Sequence, residues 1–154
     1  MPELYVAGPV IRQSMEWDLS PWVQETYTRL SEIANKNATA LSLPNAEPQL
    51  ERSEAKEFFR AIRKRLAHAK AVITIFAAGD VSAAIETSIA SVSGKKILIL
   101  AEDPAEIPRL LEGLPGVVEI LNPIDADGRL DDAVRRLLNA KPPGRNNGRD
   151  QVRR

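Results

Sequence analysis

Apolar residues along this chain fall into two patterns, short unbroken runs and stripes spaced by three and four, and the two alternate. The runs are Leu4-Tyr5-Val6-Ala7, Ala71-Val72-Ile73-Thr74-Ile75-Phe76 and Ile97-Leu98-Ile99-Leu100-Ala101, and Val117 to Leu121, interrupted by Glu119, is expected as a fifth strand. Each has strand length, and most are rich in β-branched side chains. An unbroken run leaves no polar face for water, so it predicts a strand covered on both sides, as in a parallel sheet. A shorter strand is expected from Thr39 to Leu43, ended by Pro44. Between the runs, Val23, Tyr27, Leu30 and Ala34 repeat at helical spacing behind Ser20-Pro21, a serine N-cap followed by proline at the first helical position. Ser53 caps a second expected helix running to about His68, and Asp80 opens a third. Ile107, Leu110 and Leu111 suggest a short helix, and Leu130, Val134, Leu137 and Leu138 a last amphipathic one. Gly94-Lys95-Lys96 reads as the turn into the fourth strand. The pattern predicts an α/β, flavodoxin-like (Rossmann-like) five-stranded parallel sheet with helices on both faces.

The chain length of 154 residues fits one domain with a core of its own. That domain is expected over 1–140, followed by a disordered basic tail over 141–154, where Pro142-Pro143-Gly144 and Asn146-Asn147-Gly148 replace any apolar periodicity. Lysine plus arginine equals aspartate plus glutamate at 21 each, so a nucleic-acid partner is not expected. The tail holds five basic residues and one acid, which leaves the body at about −4. There is no cysteine and one histidine, His68. Thiolate nucleophiles, serine–histidine triads and histidine-rich metal centres are thereby set aside, and carboxylates must carry any catalysis. No metal or redox cofactor is implied. Without a long apolar run or a charged leader, a cytoplasmic protein with no membrane partner is the simplest reading.

In a sheet of this kind the ligand crevice lies at the carboxyl ends of the first and third strands, where strand order reverses. The first loop there carries Gly8, Pro9 and Arg12. The second carries Gly79, Asp80 and Ser82, with Glu86 in the helix that follows. Glu86 is within two turns of the helix start, where the positive end of the dipole favours the ionised form, and this suits a nucleophile better than a general acid. Ser82, Ala83 and Ala90 lie three or four residues from it, so a ligand could approach that face closely. Ordinary structural readings stand beside this one. Aspartate caps helices, acids are common in first turns, and small residues let a helix pack tightly on a sheet. Arg12 is a candidate for a ligand anion or a surface residue. Trp17 is the candidate for stacking on a base, while Trp22 reads as core or interface and His68 as structural or exposed.

Leu4-Tyr5-Val6-Ala7-Gly8-Pro9, then Asp80 with Glu86 six residues on, then Ala90, Gly94 and Lys95, resemble the nucleoside 2-deoxyribosyltransferase family and its deoxynucleoside 5′-phosphate N-hydrolase relatives. The resemblance spans most of the domain. It implies a retaining double displacement in which Glu86 attacks C1′ as the base leaves, and water or a second base resolves the glycosyl ester. Tyr5 matches the tyrosine that orients the nucleophile. Asp80 matches a position contacting the sugar in the transferases, where phosphate-cleaving relatives tend to carry serine. A homodimer or higher homo-oligomer is also implied, because relatives borrow residues from a neighbouring subunit.

The chain departs from that pattern on the helix before the third strand. The family usually places an aspartate there to protonate the departing base, but this stretch reads Phe58-Phe59-Arg60-Ala61-Ile62-Arg63-Lys64-Arg65-Leu66-Ala67-His68, with Arg60 closest to the matching place. Arg60 either binds an anion or belongs to a solvated basic face with Lys56, Arg63 and Lys64. Ala84 and Ser88 stand where glycines usually flank the nucleophile. The expected function is cleavage or exchange of the N-glycosidic bond of a (deoxy)nucleoside or its 5′-phosphate. A catalytically impaired module binding a nucleotide or ADP-ribose-like ligand is the alternative, and a TIR-like NAD glycohydrolase is a third reading by fold analogy alone.

Overall fold

In the computed structural model the described residues are 3–9, 20–43, 55–77, 80–124, 128–141 and 143. They form β1 (Glu3–Ala7), α1 (Pro21–Lys36), β2 (Ala40–Ser42), α2 (Ala55–His68), β3 (Ala71–Ile75), α3 (Val81–Val92), β4 (Lys96–Leu100), α4 (Arg109–Glu112), β5 (Val117–Leu121) and α5 (Arg129–Asn139), with a single 3-10 turn at Pro104–Glu106 before α4. The five strands make one parallel sheet in the order β2-β1-β3-β4-β5. This is the flavodoxin-like order, with its reversal between β1 and β3.

Alternation along the buried strands sorts the core into two layers. Leu4, Val6, Ile73, Ile75, Leu98 and Leu100 face α1 and α5, while Tyr5, Ala7, Val72, Ile97 and Ile99 face the side of α2, α3 and α4. Every residue of β3 and β4 is buried. That is why these strands read as unbroken apolar runs rather than as alternating ones. The edge strands β2 and β5 are only partly covered.

Several boundaries differ from the sequence expectation, each for a physical reason. Lys96 is the first residue of β4 rather than part of the turn, and it is 3% exposed. Its ammonium donates to the carbonyls of Leu138 and Ala140 at 3.0 and 2.7 Å, so a lysine at a buried position is satisfied by the end of α5. Burial, and next the nearby Lys70 charge, pulls Lys96 below the usual lysine range. In α4, Leu111 is buried but Leu110 is 87% exposed, and Ile107 ends the 3-10 turn before the helix. The second strand covers three residues, not five. The cap expected at Ser53 lies outside the described residues, as does the tail apart from Lys141 and Pro143.

Among the described residues of the crevice, Gly8, just past β1, is a place where a side chain would crowd its neighbours. A Cβ there would stand 2.9 Å from the Tyr27 hydroxyl and 3.1 Å from Ile75 Cβ. The absent side chain lets the chain leaving β1 press against α1 and β3 together.

Candidate active site

Helix α3 starts at the carboxyl edge of β3 because Asp80 caps it, Oδ1 accepting from the Ala83 amide at 3.0 Å. Its inner face is made of small residues. Ala83 and Ala90 are fully buried, and Thr87 between them donates to the Ala83 carbonyl while sharing a 2.6 Å hydrogen bond with Thr74 of β3. These contacts bring the helix close to the sheet and fix its rotation. Glu86 is thereby carried toward β1, half-buried.

There the Tyr5 hydroxyl donates to Glu86 Oε1 at 2.6 Å, a contact between groups 81 residues apart. This length falls in the range of charge-assisted O–H···O⁻ bonds. Burial, then the hydrogen bond to Glu86, then its charge push the Tyr5 phenol well above the usual tyrosine range, and Arg65 opposes them. Tyr5 therefore remains a protonated donor throughout the ordinary pH range.

A second tyrosine supports the floor. Tyr27 of α1 donates to the Pro9 carbonyl at 2.7 Å, holding the loop after β1. Burial first, then the charges of Asp80 and Glu86, raise its pKa too. From the other side, the Arg65 guanidinium carbon of α2 lies 5.4 Å from the centroid of the Tyr5 ring. Its Nη2 donates to Ser42 Oγ and, at 3.2 Å, to the Leu43 carbonyl.

The crevice thus gathers Tyr5, Gly8, Pro9, Asp80 and Glu86. Ser82 is exposed on the first turn of α3, apart from the buried Ala83 and Ala90 with which it was grouped. Arg12 and Trp17 lie outside the described residues. Arg60 and His68 are exposed, and Trp22 is a core residue at 8% exposure. Tyr27 and Arg65 are the members that sequence reasoning missed. Tyr27 was read as a core position of α1, which it also is. Arg65 was legible in principle, because it lies three residues after Ile62 and seven after Phe58, on the inward stripe that also carries Leu66.

A cleft of about 700 Å³ lies on the opposite side of α3, lined by Phe76, Asp80, Val81, Ala84, Ser88 and Leu111, among others. Glu86 does not line it. A smaller cavity of about 310 Å³ adjoins it through Phe76 and Glu106 and includes Trp22, Glu102 and Asp103. Among the described residues no group of three or more histidine, cysteine or acidic side chains could hold a metal ion, and no helix is long and apolar enough to cross a membrane.

No family model and no curated protein matches the chain. Among solved structures it is similar to a 2-deoxyribosyltransferase from Bacillus psychrosaccharolyticus, with a TM-score of 0.55 and 12% identity over 73% of this chain and 82% of that one. It is also similar to a CMP N-glycosidase from Clostridium botulinum, with a TM-score of 0.52 and 17% identity over 78% of this chain and 89% of that one. At these identities the likeness is one of fold: the parallel α/β sheet of this chain is the architecture on which both of those proteins are built.

Proposed function

We propose that this protein cleaves or exchanges the N-glycosidic bond of a (deoxy)nucleoside or its 5′-phosphate, with Glu86 as nucleophile. The observation that carries the reading is the 2.6 Å hydrogen bond from Tyr5 to Glu86 at the switch point of the sheet. A carboxylate held by a protonated phenol, two turns into a helix, is oriented and kept anionic without being neutralised. It attacks C1′, the C1′–N bond breaks, and its electron pair leaves with the base. The ester so formed is opened at C1′ by water, whose proton passes to the medium or to the departed base, or by the nitrogen of a second base. Asp80 caps α3, and Tyr27 feels its charge together with that of Glu86, so Asp80 borders the same crevice and disfavours a phosphate beside it. That the two similar structures are a 2-deoxyribosyltransferase and a CMP N-glycosidase supports the reaction class.

One observation favours the alternative of a binding module that has lost catalysis: α2 carries no carboxylate at the place where the resemblance implies an acid for the departing base, and Arg60, the residue closest to it, is exposed. Incubating the protein with nucleosides, 5′-nucleotides and NAD, and measuring released free base, tests both readings. Base released from a nucleoside or its 5′-phosphate supports the enzyme. Release from NAD alone moves the assignment to a glycohydrolase, and binding without release supports the impaired module.

The same reading includes a homodimer or larger assembly. Val81, Ile85 and Leu110 are 68, 51 and 87% exposed around α3 and α4 and offer an apolar face for it. Light scattering at micromolar concentration is expected to give at least twice the 16.9 kDa chain mass, and a single-chain mass would reject the assembly.

A further inference from the structure

A cation reaches the described part of this site from α2. Whereas Arg60, Arg63 and Lys64 are exposed, Arg65 is half-buried. Its guanidinium is anchored by Ser42 Oγ and the Leu43 carbonyl at the end of β2, so it is not a freely swinging surface group. Among the described residues no carboxylate forms an ion pair with it. What it covers instead is the face of the Tyr5 ring, 5.4 Å from the centroid, and that ring donates its hydroxyl proton to Glu86. Cation, phenol and carboxylate therefore form a relay from α2 through β1 to α3.

We propose that Arg65 is a positioning residue for Glu86 that acts through Tyr5, strengthening the phenol as a donor and thereby keeping the carboxylate ionised and aimed. A positive charge over the ring draws electron density from the hydroxyl oxygen, which makes its proton a better one to share. The direction agrees with the effect of Arg65 on Tyr5, the one influence that opposes burial and the Glu86 charge. Among the described residues, Tyr27 of α1 feels the charges of both Glu86 and Asp80; Tyr27 is neutral, and Asp80, at the start of the same helix as Glu86, carries a charge like that of the carboxylate and opposite to that of Arg65. The consequence for catalysis rests on Glu86 being the nucleophile, but the relay itself does not.

Carbon-13 NMR titration of the Glu86 side-chain carboxyl, assigned with Glu86→Gln, reads the relay in the full-length protein without any substrate. In Arg65→Gln the midpoint is expected to rise by about half a pH unit or more. Arg65→Lys, which keeps the charge and loses the fork, is expected to rise less. In a Tyr5→Phe background Arg65→Gln is expected to add less than half of its shift in the parent. An unmoved midpoint, or an equal shift with and without the Tyr5 hydroxyl, overturns the proposal. Should Arg65→Gln not fold, Ser42→Ala releases one anchor while keeping every charge; a smaller upward shift is expected there, and none at all overturns the proposal. A Glu86→Ala protein that keeps its turnover would defeat the nucleophile assignment and leave the titration standing. An unmoved midpoint with Glu86 still essential would defeat only the role of Arg65.

Discussion

The two edges of the sheet treat polar groups in opposite ways. At the carboxyl edge, Tyr5, Tyr27, Asp80 and Glu86 converge from three different elements on one crevice. At the amino edge, adjacent lysines diverge. Lys95 donates to the Ala67 and Ala69 carbonyls at the end of α2, and Lys96 to those of Leu138 and Ala140 at the end of α5, on the other face of the sheet. One topological fact accounts for both edges. Helices in a parallel sheet run against the strands, so helix N-termini collect at the carboxyl edge and C-termini at the amino edge. Anions are favoured at the first and ammonium groups at the second. The difference teaches that charge at the amino edge locks helices down, whereas charge at the carboxyl edge stays directed at a crevice.

Two substitutions would break that comparison if it is wrong, and they should affect different measurements. Glu86→Ala is expected to lower kcat/KM on a confirmed substrate about a thousandfold or more, about 4 kcal/mol in barrier, while Tm moves little. Near-normal turnover in a folded Glu86→Ala protein would remove the mechanism. Lys96→Met should do the reverse. It leaves two carbonyls at the end of α5 without their charged donor, a loss of about 2 kcal/mol and roughly 4–8 °C in Tm, offset in part because the ammonium no longer has to be buried. Turnover at 25 °C should be unchanged. A rate defect in Lys96→Met at full stability would mean that the amino edge communicates with the crevice.

The same contrast explains what could be read from the amino-acid sequence. The sheet was legible because β3 and β4 are covered on both faces and leave unbroken apolar runs. Lys96 was misread because a lysine beside Gly94 looks like a turn, and only its tertiary partners at Leu138 and Ala140 make it a strand residue. In the crevice, Asp80 and Glu86 were legible because one helix start carries both, a local relation that spacing reports. The Tyr5 to Glu86 bond joins residues 81 apart and was reachable only through the family resemblance. Spacing reports that Tyr27 and Arg65 lie on the inward stripes of their helices, but what gives each its place in the crevice is a neighbour from another element, Pro9 for Tyr27 and the Tyr5 ring for Arg65. Arg12 and Trp17 lie outside the described residues, so their assignments stay as expectations.

Asp80 belongs to both kinds of charge, since it caps α3 and also borders the crevice. Two variants separate the roles. Asp80→Ala removes the acceptor for the Ala83 amide and is expected to cost about 1 kcal/mol of stability, as lost caps generally do. Asp80→Asn keeps an oxygen acceptor and removes the charge, so Tm should be nearly that of the parent while kcat/KM falls about tenfold if the carboxylate contacts the sugar. Equal Tm losses in the two variants, with no change in rate, would reduce Asp80 to a cap.

The smallest expected effect is removal of residues 141–154. The last periodic core residue of α5, Leu137, is fully buried, and Leu138 packs against the same cluster; both precede the cut. Ending the chain at Ala140 also spares the Lys96 acceptors, and it turns one of them into a terminal carboxylate, a stronger partner for an ammonium than a carbonyl is. Pro143 passes Gly116, its Cγ 3.6 Å from where a Cβ on that glycine would stand, and since glycine has no Cβ this proximity gives the segment little to hold on to. The rest of 141–154 is rich in Pro, Gly, Asn and Arg, which repay little of the entropy lost on ordering. Tm of the shortened protein should therefore fall within about 2 °C of the full-length value and turnover should be equal. A clear drop in either, measured side by side at low and high salt, would mean that the basic tail docks on the acidic body, with the salt dependence reporting how much of that docking is charge.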